Sequence, residues 1–428
     1  MTLTTFYRSR LTSVAAGAPR ERPLWSHITP YFPAAGYQSL PRNCRVTQVS
    51  LIQRHGARQP AIKEVAPIQK ALHKLRSAQG YSDPKLLFLR NYTYDLGEGD
   101  LLPFGAQESS SAGALQYERY SNLVTPDCLP FVRTASGIRV VDSAGNWTAG
   151  FSMTTYNPEP LLIIPENLNN TLVKNMCPNA GRAGEQSRYW RSIFASPIAA
   201  RLNKGAPGAG LGTSDVLYLM TLCPLETVAK GVISPVCDLF TEEEFEGYEY
   251  YHDLDEYYGF GYGQDLGRVQ GVGYVNELLA RLIGQPVKDH TQTNRTLDAS
   301  STTFPLNRTI YADFSHGSIM ISIYSAIGIF QQDKPLDPGL PDPDRTWVMA
   351  KMIPFAGRMV TERVECQIPV RGVGVRVTEY VRILVNDAVQ SLKFCGAGRD
   401  GLCELDAFVR SQAYARANGD CDFERCYS

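Results

Sequence analysis

Residues 45–60 read RVTQVSLIQRHGARQP, and the two halves of this stretch require different backbones. The first half carries Val46, Val49, Leu51 and Ile52, a short β-branched apolar run that fits a buried strand. The second, Arg54-His55-Gly56-Ala57-Arg58-Gln59-Pro60, is polar, contains a glycine and ends on proline, so the strand gives way at once to a loop. Two further runs read as strands: residues 161–164, closed by Pro165, and 381–385 (VRILV), closed by Asn386-Asp387. Helices lie among them. Val272, Val275, Leu278, Leu279, Leu282 and Ile283 recur at helical spacing before a Gly284 stop, and residues 405–417 form a second candidate. Interspersed strands and helices predict an α/β core. Residues 178–286 carry helical or irregular patterns and predict a separate helical lobe. Residues 31–41, rich in Pro and Gly, read as a loop, and Glu242-Glu243-Glu244 as a solvated helix start. No internal repeat is visible.

The chain has 428 residues, 43% hydrophobic and 20% charged, which is globular composition and enough for two or three domains of about 150 residues. The formal charge of −1 excludes a nucleic-acid binder held by a global basic field, but leaves room for a local arginine cluster. The longest apolar, charge-free stretch, residues 314–332, contains His316, four serines and two glutamines, which makes it a poor membrane span. Residues 1–22 show several arginines and no apolar h-region, so no signal peptide is visible there. Ten cysteines without a C-x-x-C pattern accompany five N-x-S/T sequons, at Asn91, Asn146, Asn169, Asn294 and Asn307. Together they favour a secreted, disulfide-bonded glycoprotein over a cytosolic protein with free core thiols.

Two segments carry chemistry. In residues 54–60 two arginines flank a histidine at a strand end, where open α/β sheets hold ligands. Arginine forks match phosphate oxygens and stay charged, and a histidine between them could attack phosphorus. The competing reading is an exposed basic loop with a structural histidine. The second segment is Tyr311-Ala312-Asp313-Phe314-Ser315-His316-Gly317-Ser318. It reads as a strand end, Ser315 as an N-cap, and a helix to about Phe330, with His316 at a helix N-terminus that favours an anion. The alternative is that His316 is one more cap-like polar residue.

Taken together, the two segments resemble the histidine acid phosphatases, whose nucleophile motif is R-H-G-x-R-x-P. Residues 100–105 (DLLPFG), 270–274 (QGVGY), 303–307 (TFPLN), 384–387 (LVND) and 408–410 (FVR) look like fungal phytases. The tyrosine-rich residues 248–258 and residues 384–392 are most similar to basidiomycete phytases. The resemblance implies a mixed-sheet α/β domain with a smaller α-helical domain, of the histidine acid phosphatase and phosphoglycerate-mutase type. On this basis residues 31–60, 125–170 and 295–428 are expected in the α/β domain, 61–124 and 171–294 in the helical lobe, and 1–30 as an N-terminal extension. It implies a secreted, monomeric phosphomonoesterase acting on myo-inositol hexakisphosphate, with no cofactor, no metal, no nucleic-acid partner and no membrane. The basidiomycete-like regions lean toward attack at the 6-position by analogy. His55 would be the nucleophile, and Arg54, Arg58, Arg133 and His316 would bind the transferring phosphoryl group. Family pairing implies the disulfides Cys44–Cys366, Cys177–Cys426, Cys223–Cys237 and Cys395–Cys403, leaving Cys128–Cys421 as a fifth.

One position departs from the family. An aspartate that protonates the leaving oxygen follows the second histidine there, and here Gly317 stands in its place. Losing a general acid costs about 10²–10⁴-fold. Three outcomes follow: an inactivated or weakened enzyme, another carboxylate as donor, or protonation by solvent. Asp313, behind the helix start, is not promoted to the role. An enzyme, whether a phytase or a broad-specificity acid phosphatase, therefore competes with a non-catalytic phosphate-binding protein. The glycine-rich residues 259–263 read as a loop, and His27, His73, His252 and His290 stand alone as structural or surface residues.

Overall fold

The computed structural model describes residues 24–152, 161–174, 176–181, 184–370, 374–398 and 400–428. The apolar run around Leu51 becomes β1 (Cys44–Arg54), the middle of a mixed sheet with β2 (Phe131–Ala135), β3 (Leu162–Ile164), β4 (Ile310–Ser315), β5 (Arg358–Val370), β6 (Gly374–Val385), β7 (Ala388–Val389) and β8 (Cys403–Glu404). The strand order is β3-β2-β4-β1-β5-β6-β7, with β8 on β6. The β3-β2-β4-β1 half is parallel, and β5 to β8 add antiparallel pairs. The last seven residues of β1 are all buried, as a strand covered on both faces requires. β1 and β4, far apart in sequence, pair so that Arg54 lies opposite Ser315. That register brings His55 and His316, the residues that follow, out of the sheet side by side.

The longer helices are α1 (Ile62–Arg76), α2 (Pro103–Tyr120), α3 (Ile138–Phe151), α4 (Glu185–Gly205), α5 (Thr213–Lys230), α6 (Glu242–Phe260), α7 (Val272–Ile283) and α8 (Gly317–Ile327). α6 opens on the acidic run, capped by Thr241 with Glu244 reaching back to its N–H. α7 ends at Gly284 in the left-handed conformation, φ +64°. No described helix is long and apolar enough to cross a membrane.

Two large apolar cores result. One joins the sheet to α2, α3, α7 and α8, around Trp147, Phe314 and Tyr324. The other joins α1, α4, α5 and the start of α6, around Leu72, Leu219 and Tyr248. α2 and α7, grouped by sequence with the helical lobe, bury Ala112, Tyr120, Leu278 and Leu282 in the same core as the sheet. Residues 24–30 are likewise no extension, since Leu24, Trp25 and Ile28 are buried in the helical core; residues 1–23 lie outside the described residues.

Three local expectations also change. Ser315 ends β4, and its hydroxyl donates to the Leu172 carbonyl at 2.5 Å, so His316 is the N-cap of α8. α8 stops at Gly328, φ +99°, short of Phe330. The helix expected over residues 405–417 breaks at Gln412, whose side chain donates to the Ile327 carbonyl at 3.3 Å; Leu405–Ser411 and Ala413–Arg416 are separate short helices.

Four disulfides are formed: Cys44–Cys366 beside the β1–β5 pairing, Cys177–Cys426, Cys223–Cys237 and Cys395–Cys403. The fifth expected pair is not formed. Cys128 sits in a turn against Thr309 at 3.4 Å, whereas Cys421 is exposed at the head of the last helical turn. Thiol titration of the denatured, unreduced protein should read two per chain; a reading of zero would mean that these cysteines pair.

Candidate active site

The site begins with the loop after β1. A Cβ on Gly56 would lie 2.2 Å from the Gly105 carbonyl oxygen, so only glycine lets this loop meet the start of α2. Residues around Leu102 then tie it down: the Leu102 N–H donates to the Ala57 carbonyl at 2.9 Å and the Gln59 N–H to the Asp100 carbonyl at 2.8 Å. Glu108, on α2, accepts the N–H groups of Ala57 and Tyr31, each at 2.8 Å. Burial nevertheless pushes its carboxyl up to about 7.

His55 is buried, and its Nδ1 lies 2.9 Å from the Gly56 carbonyl oxygen. A carbonyl can only accept, so Nδ1 carries the proton and Nε2 keeps its lone pair. Burial, then Arg54, His316, Arg139 and Arg58, holds its pKa well below the ordinary histidine value. The imidazole therefore stays neutral, and nucleophilic, in acid where an exposed histidine is protonated.

Arg54 is anchored by its Nη1, which donates to the Ile353 carbonyl at 2.6 Å and to that of His27. Its guanidinium stacks on Phe355, 4.9 Å from the ring centroid. Burial, followed by the charge of Arg58, lowers its pKa to about 9, and its Nε has no partner. Arg58 is held by Glu64 of the first turn of α1, Nη1 to Oε2 3.0 Å. His316 stands across from His55, ring centroids 5.7 Å apart. The Arg139 guanidinium, 3.4 Å from His316 Nδ1, can only donate, so Nε2–H faces Glu166 Oε1 at 3.0 Å. That hydrogen bond holds the Glu166 carboxyl below its usual range.

The structure brings together Arg54, His55, Arg58 and His316, but not Arg133. Arg133 lies on β2, in register with Asp313 of β4, and its Nε donates to Asp313 Oδ1 at 2.6 Å while its Nη2 meets Glu277. Arg281 binds the same aspartate at 2.8 Å. Burial raises the Asp313 pKa, but the two arginines outweigh it and hold the carboxyl at about 2, so Asp313 is no acid for catalysis. The third arginine near the histidines is Arg139, in the first turn of α3. The sequence signal was the second arginine of residues 131–139 (FVRTASGIR), six positions past the one chosen. Glu166 carried no local motif. His27 and His252, read as isolated, touch at 4.6 Å between ring centroids, and the His27 carbonyl helps hold Arg54. His73 and His290 are exposed. Among the described residues no group of three or more His, Cys, Asp or Glu is arranged to hold a metal ion.

These placements separate the two arginines experimentally. Arg133→Ala takes a cation away from two buried carboxylates, leaving Asp313 to Arg281 and Glu277 without one, and should lower stability by about 3–5 kcal/mol. Arg139→Ala should shift stability by only about 0.5 kcal/mol yet abolish the rise in Tm that inorganic phosphate gives the parent protein. Thermal unfolding with and without phosphate reads both, and a phosphate response lost in Arg133→Ala but kept in Arg139→Ala would restore the original assignment.

Comparison with known proteins identifies the family. Residues 45–386 match the model of the histidine phosphatase superfamily (branch 2). Phytase A of Aspergillus terreus is 38% identical over 422 residues, covering 92% of this chain and 89% of that one. Phytase A of Neurospora crassa is 37% identical over 472 residues, covering 94% and 92%. Among solved structures, the phytase from D. castellii superposes with a TM-score of 0.75 at 23% identity, covering 92% of this chain and 84% of that one. The multiple inositol polyphosphate phosphatase of Bifidobacterium longum, in complex with inositol hexasulfate, gives 0.64 at 12% identity, covering 90% and 96%, and speaks for the fold alone. With the match running from β1 to the end of β6 and including both histidines and the arginines around them, the chain belongs to the histidine phosphatase superfamily, branch 2.

Proposed function

We propose that this chain is a phosphoric monoester hydrolase that cleaves myo-inositol hexakisphosphate through a phosphohistidine at His55. The observation that carries the reading is the convergence of a neutral, tautomerically fixed His55 with Arg54, Arg58, Arg139 and His316 at the ends of β1 and β4. His55 Nε2 attacks phosphorus, and the ester P–O bond breaks. The arginines hold the phosphoryl oxygens, and His316 joins them as its Nε2–H turns from Glu166, so charge is stabilised by groups already at the site. Water then hydrolyses the phosphohistidine. The names of the curated relatives support phytate as substrate. Four disulfides support a secreted protein, and sequons at the exposed Asn91, Asn169 and Asn307 suit glycosylation better than the half-buried Asn146 and Asn294.

Gly317 favours a second reading, a phosphate-binding protein of little or no turnover. Phosphate release from phytate and from p-nitrophenyl phosphate between pH 3 and 8 decides between them. The enzyme reading expects release from both, with phytate the slower for want of an acid at position 317. Binding of phytate with release from neither substrate would establish the second.

A further inference from the structure

Gly317 leaves the leaving oxygen without its neighbour in sequence, so the carboxyl groups around the site decide what can protonate it. Asp313 is locked between Arg133 and Arg281. Glu64 is committed to Arg58 and to the Ala61 N–H. Both oxygens of Glu108 accept backbone N–H groups behind the loop, and Glu166 accepts from His316 and from the Gly137 N–H. Asp313, Glu64 and Glu166 are held as carboxylates by the donors they face, and both Glu108 oxygens are taken up by the backbone of the loop.

Glu256 differs. It lies on α6, facing the first turn of α8, where the Ser318 hydroxyl donates to its Oε1 at 3.2 Å. Its Oε2 is buried and has no hydrogen-bond partner. Ser318 adjoins Gly317, and a Cβ on Gly317 would sit 3.2 Å from Arg54 Nε; the charges of Arg54 and Glu256 act on each other across this gap.

Resting on the phosphohistidine reading above, we propose that Glu256 is the proton donor to the leaving oxygen, with Oε2 as the atom that carries the proton. As the P–O bond breaks and the bond from phosphorus to His55 Nε2 forms, the Oε2 proton passes to the departing inositol oxygen, directly or through one water. Water then hydrolyses the phosphohistidine, and the Glu256 carboxylate takes a proton from solvent once the inositol has left, which restores the acid. The charges around it fit the task. Burial pushes its carboxyl up to about 7, Lys174 and Arg54 oppose the rise, Asp255 adds to it, and the Ser318 hydrogen bond opposes it. The group is therefore protonated through acidic pH and loses its proton near neutrality. A phytate rate that depends on this acid should accordingly fall as pH rises through about 7.

The test is Glu256→Gln, nearly isosteric and still able to accept from Ser318. A phenolate leaves without a proton, so p-nitrophenyl phosphate turnover and labelling of His55 by that ester should change less than about threefold, while the phytate rate falls about 10- to 100-fold and its high-pH limb disappears. Gly317→Asp added to Glu256→Gln should bring the phytate rate to that of Gly317→Asp alone. Equal losses on both substrates, an unchanged phytate rate, or a high-pH limb that survives would overturn the assignment while leaving labelled His55, and the reading beneath it, intact. No labelled His55 in the parent protein would overturn both.

Discussion

His55→Ala is expected to lower phosphate release from both phytate and p-nitrophenyl phosphate by about 10⁴-fold or more, because the arginines alone cannot replace an attacking group. The effect should be uniform across leaving groups, since both reactions pass through the same bond to Nε2. It should also leave the fold standing: the ring's polar contact is a single hydrogen bond to the adjacent carbonyl of Gly56. The pH dependence carries a further sign. Because the His55 pKa lies well below its ordinary value, its lone pair is available on both sides of pH 6.5, and the aryl ester rate of the parent protein should not drop as pH falls through that point. A loss there would mean that His55 titrates as an exposed histidine does. Steady-state rates on the two esters, with circular dichroism of the variant, check all three statements.

Gly317→Asp should raise the phytate rate by about 10²-fold and the aryl ester rate by much less. An inositol alkoxide is basic and needs its proton early, whereas p-nitrophenolate does not. The structure admits the new side chain. Its Cβ would lie 3.0 Å from Ile353 Cδ1 and 3.2–3.3 Å from the Arg54 side chain, so those side chains must give by a few tenths of an ångström. In return the carboxylate lands beside Arg54 Nε, which has no partner, and in the first turn of α8, where the helix dipole favours it. Equal gains on the two substrates would point to better packing around Arg54 in place of a restored acid.

The sheet and the site differ in how far the sequence reveals them. β1 was legible because Val49, Leu51 and Ile52 crowd its buried half, and the loop after it because His55 and the two arginines fall within five residues. β6 was seen only in its buried end, residues 381–385, since its first four residues are exposed and Val375 and Val377 alternate there with Gly374 and Arg376 in place of an apolar run. β5 went unread for the opposite reason. Its buried Glu362 looks solvent-facing in sequence, yet it accepts from Tyr120 and from Arg382, each at 2.6 Å. Arg133 was misassigned because a sequence does not say which of two nearby arginines finds carboxylates across the sheet; the register with Asp313 settles where its charge is spent. Glu166 meets His316 from a loop and Glu256 meets Ser318 from α6, contacts that are purely tertiary.

The central claim, that this pocket transfers a phosphoryl group to His55 despite Gly317, is most directly tested by a rapid quench. The parent protein is mixed with ³²P-labelled p-nitrophenyl phosphate, stopped in alkali, digested and mapped. A base-stable, acid-labile label on the peptide carrying His55, absent from His55→Ala, is the predicted result. Turnover of the ester with no such label, or a label that persists in His55→Ala, would contradict it.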